Sequence, residues 1–188
     1  MVYRNEFDKD GKSQIDGERA ENNFVRIFTE RFGIAPIKAS DYDNKVKHID
    51  YYMKIPAKDG IHKASVDVKS WKHKEDYVDI EFITYGKLGW LYGEADFIGF
   101  ETPDEQSFVM VDRKSLMEYV ERHVNPHFTT NRLEREGNIY VRFKSKFKKR
   151  TENGEKQDED DERYDCTTII ERDILYSLRH WILKIEKN

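Results

Sequence analysis

Two aspartates and a lysine carry the clearest chemistry in this sequence: Asp50 in His48-Ile49-Asp50-Tyr51-Tyr52, and Asp67 and Lys69 in Val66-Asp67-Val68-Lys69. Two carboxylates and an ammonium suit metal-dependent phosphodiester hydrolysis. Mg²⁺ is a hard cation that takes one or two protein carboxylates, keeps several waters and leaves room for phosphate oxygens. Such an ion polarises a phosphoryl group and lowers the pKa of a bound water; a second ion about 4 Å away clamps the leaving oxygen. A lysine beside them holds the attacking water or offsets charge in the transition state. Asp-x-Lys alone says little in a chain with 33 Lys+Arg and 37 Asp+Glu among 188 residues. The elements around the three residues must therefore bring them together.

A hairpin does so. Asp59-Gly60 is a strong two-residue turn signal. With those residues as the turn, Lys58 pairs with Ile61, Tyr52 lies opposite Asp67, and Asp50 lies opposite Lys69. Opposed residues share a face and successive residues alternate. Asp50, Asp67 and Lys69 thus converge on one face. Ile49, Tyr51, Met53 and Ile55 meet Ala64, Val66 and Val68 on the other, which packs on a core. The competing reading is a solvated face whose acids and lysines pair across strands. His48 shares the face of Asp50 and is placed to touch a phosphate or a water.

In order and spacing these residues resemble the PD-(D/E)XK nuclease superfamily, which has a restriction-endonuclease-like fold. Ile49-Asp50 stands for the first motif, without the family's nominal proline, and Asp67-Val68-Lys69 for the second. The resemblance covers roughly the first hundred residues. It implies an α/β fold with a central mixed β-sheet flanked by helices. It implies Asp50 and Asp67 as metal ligands, Lys69 as the water-positioning base or electrostatic partner, and Glu21 on the first helix as a further ligand or ligand orienter. It implies Mg²⁺ as cofactor, with Mn²⁺ able to substitute, and DNA as substrate. A Holliday-junction-resolvase-like enzyme acting as a homodimer on branched DNA is one member type it points to. The lysine- and aromatic-rich composition also resembles that of phage proteins.

The helix is legible independently. Ala20, Phe24, Ile27, Phe28 and Phe32 recur at helical spacing and define a buried stripe over Gln14 to Phe32. Glu21 flanks that stripe, where a carboxylate needs a metal, a cation or an exit to water. Glu18 fits the alternative, a first-turn glutamate favoured by the helix dipole.

At 188 residues with net charge -4, the chain reads as a single domain, 1–188, able to build a core. Its aromatic content argues against overall disorder. One cysteine, Cys166, excludes an internal disulfide and an all-cysteine zinc site, and fits a reducing cytoplasmic setting. No apolar run reaches the length of a membrane span, and the first residues lack a signal-peptide core.

A negative balance speaks mildly against nucleic acid, but its distribution answers part of that. Ile139, Val141, Phe143 and Phe147 alternate with Arg142, Lys144, Lys146 and Lys148. This reads as a strand with a cationic face that tracks a phosphate backbone, or as an edge strand guarded by lysines. Lys72 and Lys74, just past the second motif, are further backbone contacts. Residues 151–163 are acidic and read as a solvated mobile loop.

The rest fits the same architecture. Val78, Ile80 and Phe82 mark a third strand, whose Glu81 either joins the site or faces solvent. The Gly86 to Gly93 connection carries Trp90 and Tyr92 as core anchors or base-stacking rings. Strands follow over Ala95 to Glu101 and Phe108 to Val111. Asp112 caps a helix bearing Leu116, Tyr119, Val120 and Val124. Thr167 to Ile170 is a short strand, and Arg172 to Glu186 an amphipathic helix that docks on the core or forms a dimer contact.

Overall fold

The structure is a computed structural model, and it describes residues 12–70, 76–84, 86–130, 135–136, 139–146 and 164–186. Helix α1 (Lys12–Phe32) leads. Strand β1 (Ile37–Lys38), helix α2 (Asp41–Lys47), β2 (Tyr51–Ala57), β3 (Gly60–Lys69) and β4 (Tyr77–Thr84) follow. Next come β5 (Lys87–Leu88), a 3₁₀ turn (Trp90–Tyr92), β6 (Phe97–Glu101), β7 (Ser107–Asp112) and α3 (Arg113–His123). The chain continues through β8 (Val124–Thr130), β9 (Arg135–Glu136), β10 (Ile139–Lys146), β11 (Tyr164–Glu171), α4 (Ile174–Ser177) and β12 (His180–Lys184).

The architecture is mixed α/β, with a mixed sheet flanked by helices as expected. That sheet runs β1-β2-β3-β6-β7-β12, and β3 and β6 are its one parallel pair. The stripe read from α1 covers one face. Ala20, Phe24, Ile27 and Phe28 are fully buried against Tyr51, Met53, Val66, Phe108, Met110 and Leu183. Each such large apolar side chain contributes roughly 1.5–3 kcal/mol by leaving water. Gly33, at φ 69, ends α1 in the left-handed conformation that favours glycine, its N–H donating to Thr29 O at 2.8 Å.

A second mixed sheet, β5-β4-β11-β10-β8 with β9 on β10, covers the other face. Val78, Ile80 and Phe82 of β4 and Ile170 of β11 meet Ile98, Phe100, Val109 and Val111 of the first sheet. The third strand thus forms, but in this second sheet, paired with β11 and not with the hairpin. Asp112 caps α3 as read, accepting from Ser115 N at 2.8 Å.

Three expectations need correction. The hairpin turn is Lys58-Asp59 and not Asp59-Gly60: Ala57 pairs with Gly60, and Tyr52 with Ser65. Gly60 takes the positive φ, 133°, at the start of β3. The register is therefore offset by two residues. An offset of two preserves every side chain's face, so the convergence inferred for Asp50, Asp67 and Lys69 survives. Ile49, however, packs with the second-sheet cluster and not with Tyr51 and Met53.

The C-terminal amphipathic helix is largely a strand. Only Ile174–Ser177 is helical, and β12 pairs antiparallel with β7. Asp112 N donates to Arg179 O at 2.8 Å and opens the pairing. Without β12, the outer edge of β7 would be left unpaired. His-Trp-Ile-Leu supplies the aromatic and branched side chains that suit that place.

The cationic segment does form a strand, β10, but not an edge strand. It pairs with β11 on one side and with β8 and β9 on the other. The β8 and β9 pairings end at Phe143, so the edge reading is overturned at Arg142 and not at Lys144 and Lys146, which among the described residues pair only with β11. Among the described residues no helix is long and apolar enough to cross a membrane.

Candidate active site

The second half of β3 places the chemistry. Val66 and Val68 point into the α1 layer, so alternation sends Asp67 and Lys69 to the opposite face, between the two sheets. Asp50 precedes β2 by one residue; its N–H donates to Val66 O at 2.9 Å, which holds it beside β3. The structure thus brings Asp50, Asp67 and Lys69 together and buries the two carboxylates, Asp50 at 8% exposed and Asp67 at 3%, with Lys69 half-buried beside them. A solvated hairpin face is excluded for the two aspartates.

The carboxylates differ in what they hold. Asp50 Oδ2 accepts from Val68 N at 2.7 Å, and Oδ1 accepts from Asn44 Nδ2 at 2.5 Å. Asp67 Oδ1 meets Lys69 Nζ at 2.8 Å, while Oδ2 is buried with no hydrogen-bond partner. Burial pushes the Asp67 carboxyl well above the usual carboxylate range; Lys69 pulls it back part of the way, and Asp50 pushes it up again. Burial lowers the Lys69 pKa, but Asp67, Glu81 and Asp50 together outweigh that and raise it. Lys69 also lies 5.2 Å from the centre of the Trp90 ring, a cation–π contact.

Lys69 opens onto a cavity of about 230 Å³. Glu81 lines the same cavity and is half-buried. Trp90 is 2% exposed and is a core anchor; it meets Phe100 edge-on with ring centres 6.0 Å apart. Gly89 makes this approach possible. A Cβ there would stand 2.4 Å from the main-chain oxygen of Glu81, so only glycine lets the connection lie against β4 and set Trp90 under Lys69.

Glu21 does not join the cluster. It accepts from Tyr51 OH at 3.0 Å and from Lys38 Nζ, on the α1 face of the sheet. Tyr51 rises on the face opposite Asp67, so the sheet stands between. Glu18 is exposed and bonded to Gln14 Nε2. His48 adopts φ 55 as the left-handed cap of α2, its ring nitrogen 3.0 Å from Leu88 O. Lys72, Lys74, Lys148 and the acidic segment 151–163 lie outside the described residues. Arg142, Lys144 and Lys146 belong to β10, of which only the backbone is described.

Sequence reasoning missed three residues at the site. Asn44 braces Asp50 from α2, and nothing local signals that. Ser70 follows Lys69 directly and lines the cavity. Arg172 reaches the same cavity from beyond β11, a hundred residues away. His123 and His127 have the four-residue spacing of a helical metal pair, but α3 ends at His123, so the two do not share a helix.

Among the described residues no group of three or more His, Cys, Asp or Glu is placed to hold a metal ion. Mg²⁺ requires only one or two carboxylates. The free, buried Oδ2 of Asp67, with Asp50 beside it, fits that smaller demand. No family model, curated protein or solved structure matches the chain.

Proposed function

We propose that this protein is a metal-dependent nuclease that hydrolyses phosphodiester bonds in DNA. One observation carries the reading: a buried carboxylate oxygen, Asp67 Oδ2, has no partner, and the Lys69 ammonium held by the other oxygen of the same carboxylate lines a cavity. A buried carboxylate oxygen without a partner is costly, and a bound proton or a cation relieves that cost. Asp67 would be the principal ligand and Asp50 the second. A bound Mg²⁺ would polarise the phosphoryl group and acidify a water.

The chain's own residues have separable tasks. Lys69 keeps its proton, because its pKa is raised. It is therefore a donor and not a general base: it offers N–H groups to the attacking water or to a phosphate oxygen. Asn44 and Val68 N hold Asp50 in one orientation. Glu81 and Trp90 confine the ammonium from the cavity side. The cationic residues of β10, with Lys72, Lys74 and Lys148, are proposed to hold the DNA backbone. Branched DNA cut by a homodimer is the member type that the resemblance favours.

One observation favours a second reading, a non-catalytic nucleic-acid- or protein-binding module. Both oxygens of Asp50 already accept hydrogen bonds from the protein, which suits a structural brace. Cleavage of labelled DNA with Mg²⁺ or EDTA, by wild type and Asp67→Ala, separates the two. Metal-dependent cutting that the variant lacks supports the nuclease; clean folding with no turnover supports the module.

A further inference from the structure

We infer that the β2–β3 hairpin is an arm that grips the phosphate backbone of DNA, with Lys54 and Lys63 as its contacts. The inference rests on the nuclease reading for its partner and adds a binding surface that lies outside the nuclease motifs.

The arm follows from where the neighbouring strands stop. β1 pairs with β2 only at Tyr51 and Tyr52, and β6 pairs with β3 only from Val66 onward. Between Met53 and Ser65 the two strands therefore pair with each other and, among the described residues, with no other strand. At the root, Met53 is buried under α1, and Ile55 and Ala64 pack partly against the same cluster. Residues 56–63 are exposed. A two-stranded ribbon is marginal in water by itself, so its cross-strand pairs have to hold it.

One of those pairs works against it. Lys54 lies directly opposite Lys63. Opposed side chains stand about 4.5–5.5 Å apart at Cβ, and like charges there are destabilising. Both lysines are exposed, and among the described residues neither they nor Lys58 at the turn has an ion-pair partner. Residues 53–65 carry three lysines and a single acid, Asp59, whose Oδ1 is 2.8 Å from His62 Nε2. At the root, Asp96 is occupied too, accepting from Ser65 N at 2.8 Å and from Ser65 Oγ at 2.9 Å. Lysines also guard free strand edges. A guard needs a charge of either sign, however, and an acid at one of the two positions would guard the edge and stabilise the pair. Two ammonium groups kept side by side in water are explained by an external anion that both can touch.

Alternation puts this pair on the face of the sheet that carries the carboxylates. Lys54 is four residues from Asp50, and Lys63 is four residues from Asp67, an even offset on both strands. At about 3.3 Å per residue the pair stands about 13 Å along the sheet from them. That is well within one turn of a duplex, about 34 Å. Phosphates recur about every 3.4 Å of axis on each DNA strand, so both lysines find one without any demand on sequence.

The test follows a short labelled DNA duplex by anisotropy across a salt series in EDTA, where metal-dependent cleavage does not take place. Lys54→Gln with Lys63→Gln is expected to weaken binding at least about 5-fold and to lower the slope of log affinity against log salt by about 1.8, since each phosphate contact contributes about 0.9. Its Tm holds or rises, because the like-charge pair is gone. Lys54→Glu alone is expected to weaken binding as well, while its Tm holds or rises on pairing with Lys63. An edge guard or a structural pair would leave affinity and slope unmoved. An unchanged slope in the double variant, or wild-type affinity in Lys54→Glu, overturns the inference; the latter variant keeps a charged edge and decides alone if the former aggregates. Wild-type protein that leaves DNA free but is retained on a polyglutamate column through these lysines assigns the arm to an acidic protein and overturns it too. Metal-dependent cleavage without lysine-dependent binding sinks the arm and leaves the nuclease. Lysine-dependent binding by a protein that cuts nothing keeps the arm and sinks the nuclease.

Discussion

Lys69 Nζ stands 2.8 Å from one oxygen of Asp67, and the other oxygen of that carboxylate is buried without a partner. The pair is therefore half-compensated. One cation is present and there is room in the chemistry for another. This single relationship links stability, pH dependence and metal affinity.

The first consequence is a pH dependence. The folded pKa of Asp67 is raised, and the unfolded value is near 3.9. Below about pH 3.9 the group is protonated in both states. As pH rises, the unfolded chain ionises first, while the folded chain holds its proton or buries a charge. The stability that the group contributes at low pH is thus lost as pH rises through the folded pKa. Lys69 is raised from 10.5, so it adds no slope between pH 4 and 8. The Tm of wild type relative to Asp67→Asn should fall across that window, and parallel curves would contradict the burial argument. Mg²⁺ binding, followed by calorimetry in two buffers, should release a proton and tighten as pH rises.

A second prediction concerns Gly89. An added Cβ meets the Glu81 main chain at 2.4 and 2.7 Å, and backbone cannot yield as a side chain does. Gly89→Ala should lose about 2 kcal/mol in urea unfolding. It should also shift the Trp90 environment, visible in fluorescence. Gly17, in α1, has nothing within 4 Å of its added Cβ. Gly17→Ala should gain up to about 1 kcal/mol. Equal effects at the two glycines would show that Gly89 is not held by close approach.

The C-terminal strand has its own test. Leu183 is fully buried in the α1 layer, whereas Ile182 is 37% exposed. An amphipathic helix would reverse their importance, burying Ile182 and turning Leu183 outward. Leu183→Ala should cost about 2–5 kcal/mol, and Ile182→Ala clearly less. The opposite ranking would restore the helix.

The contrast between these residues explains what was legible. Faces were, because alternation is local: Asp67 and Lys69 oppose Val66 and Val68 whatever the turn. The exact partners were not, since turning at Lys58-Asp59 offsets the register by two without disturbing any face. At the C-terminus, Ile174 to Ile185 satisfies a helical period and a short strand equally well. The free edge of β7, a tertiary fact, decides between them. Glu21 sits beside the apolar stripe as read, but its partner is Lys38 on the near face, a contact that no periodicity encodes. Burial of the acidic cluster was equally invisible, because the second sheet that covers it comes from residues far along the chain. Ser70 and Arg172 meet only through that layering.

The most direct test of the central claim is cleavage of labelled linear, single-stranded and four-way-junction DNA in Mg²⁺, Mn²⁺ or EDTA, comparing wild type with Asp67→Ala. The predicted result is cutting in either metal, none in EDTA, and a loss of at least about 100-fold in the variant with its fold retained. Undetectable cutting of every substrate by folded wild-type protein, or cutting that Asp67→Ala leaves unchanged, would contradict the account.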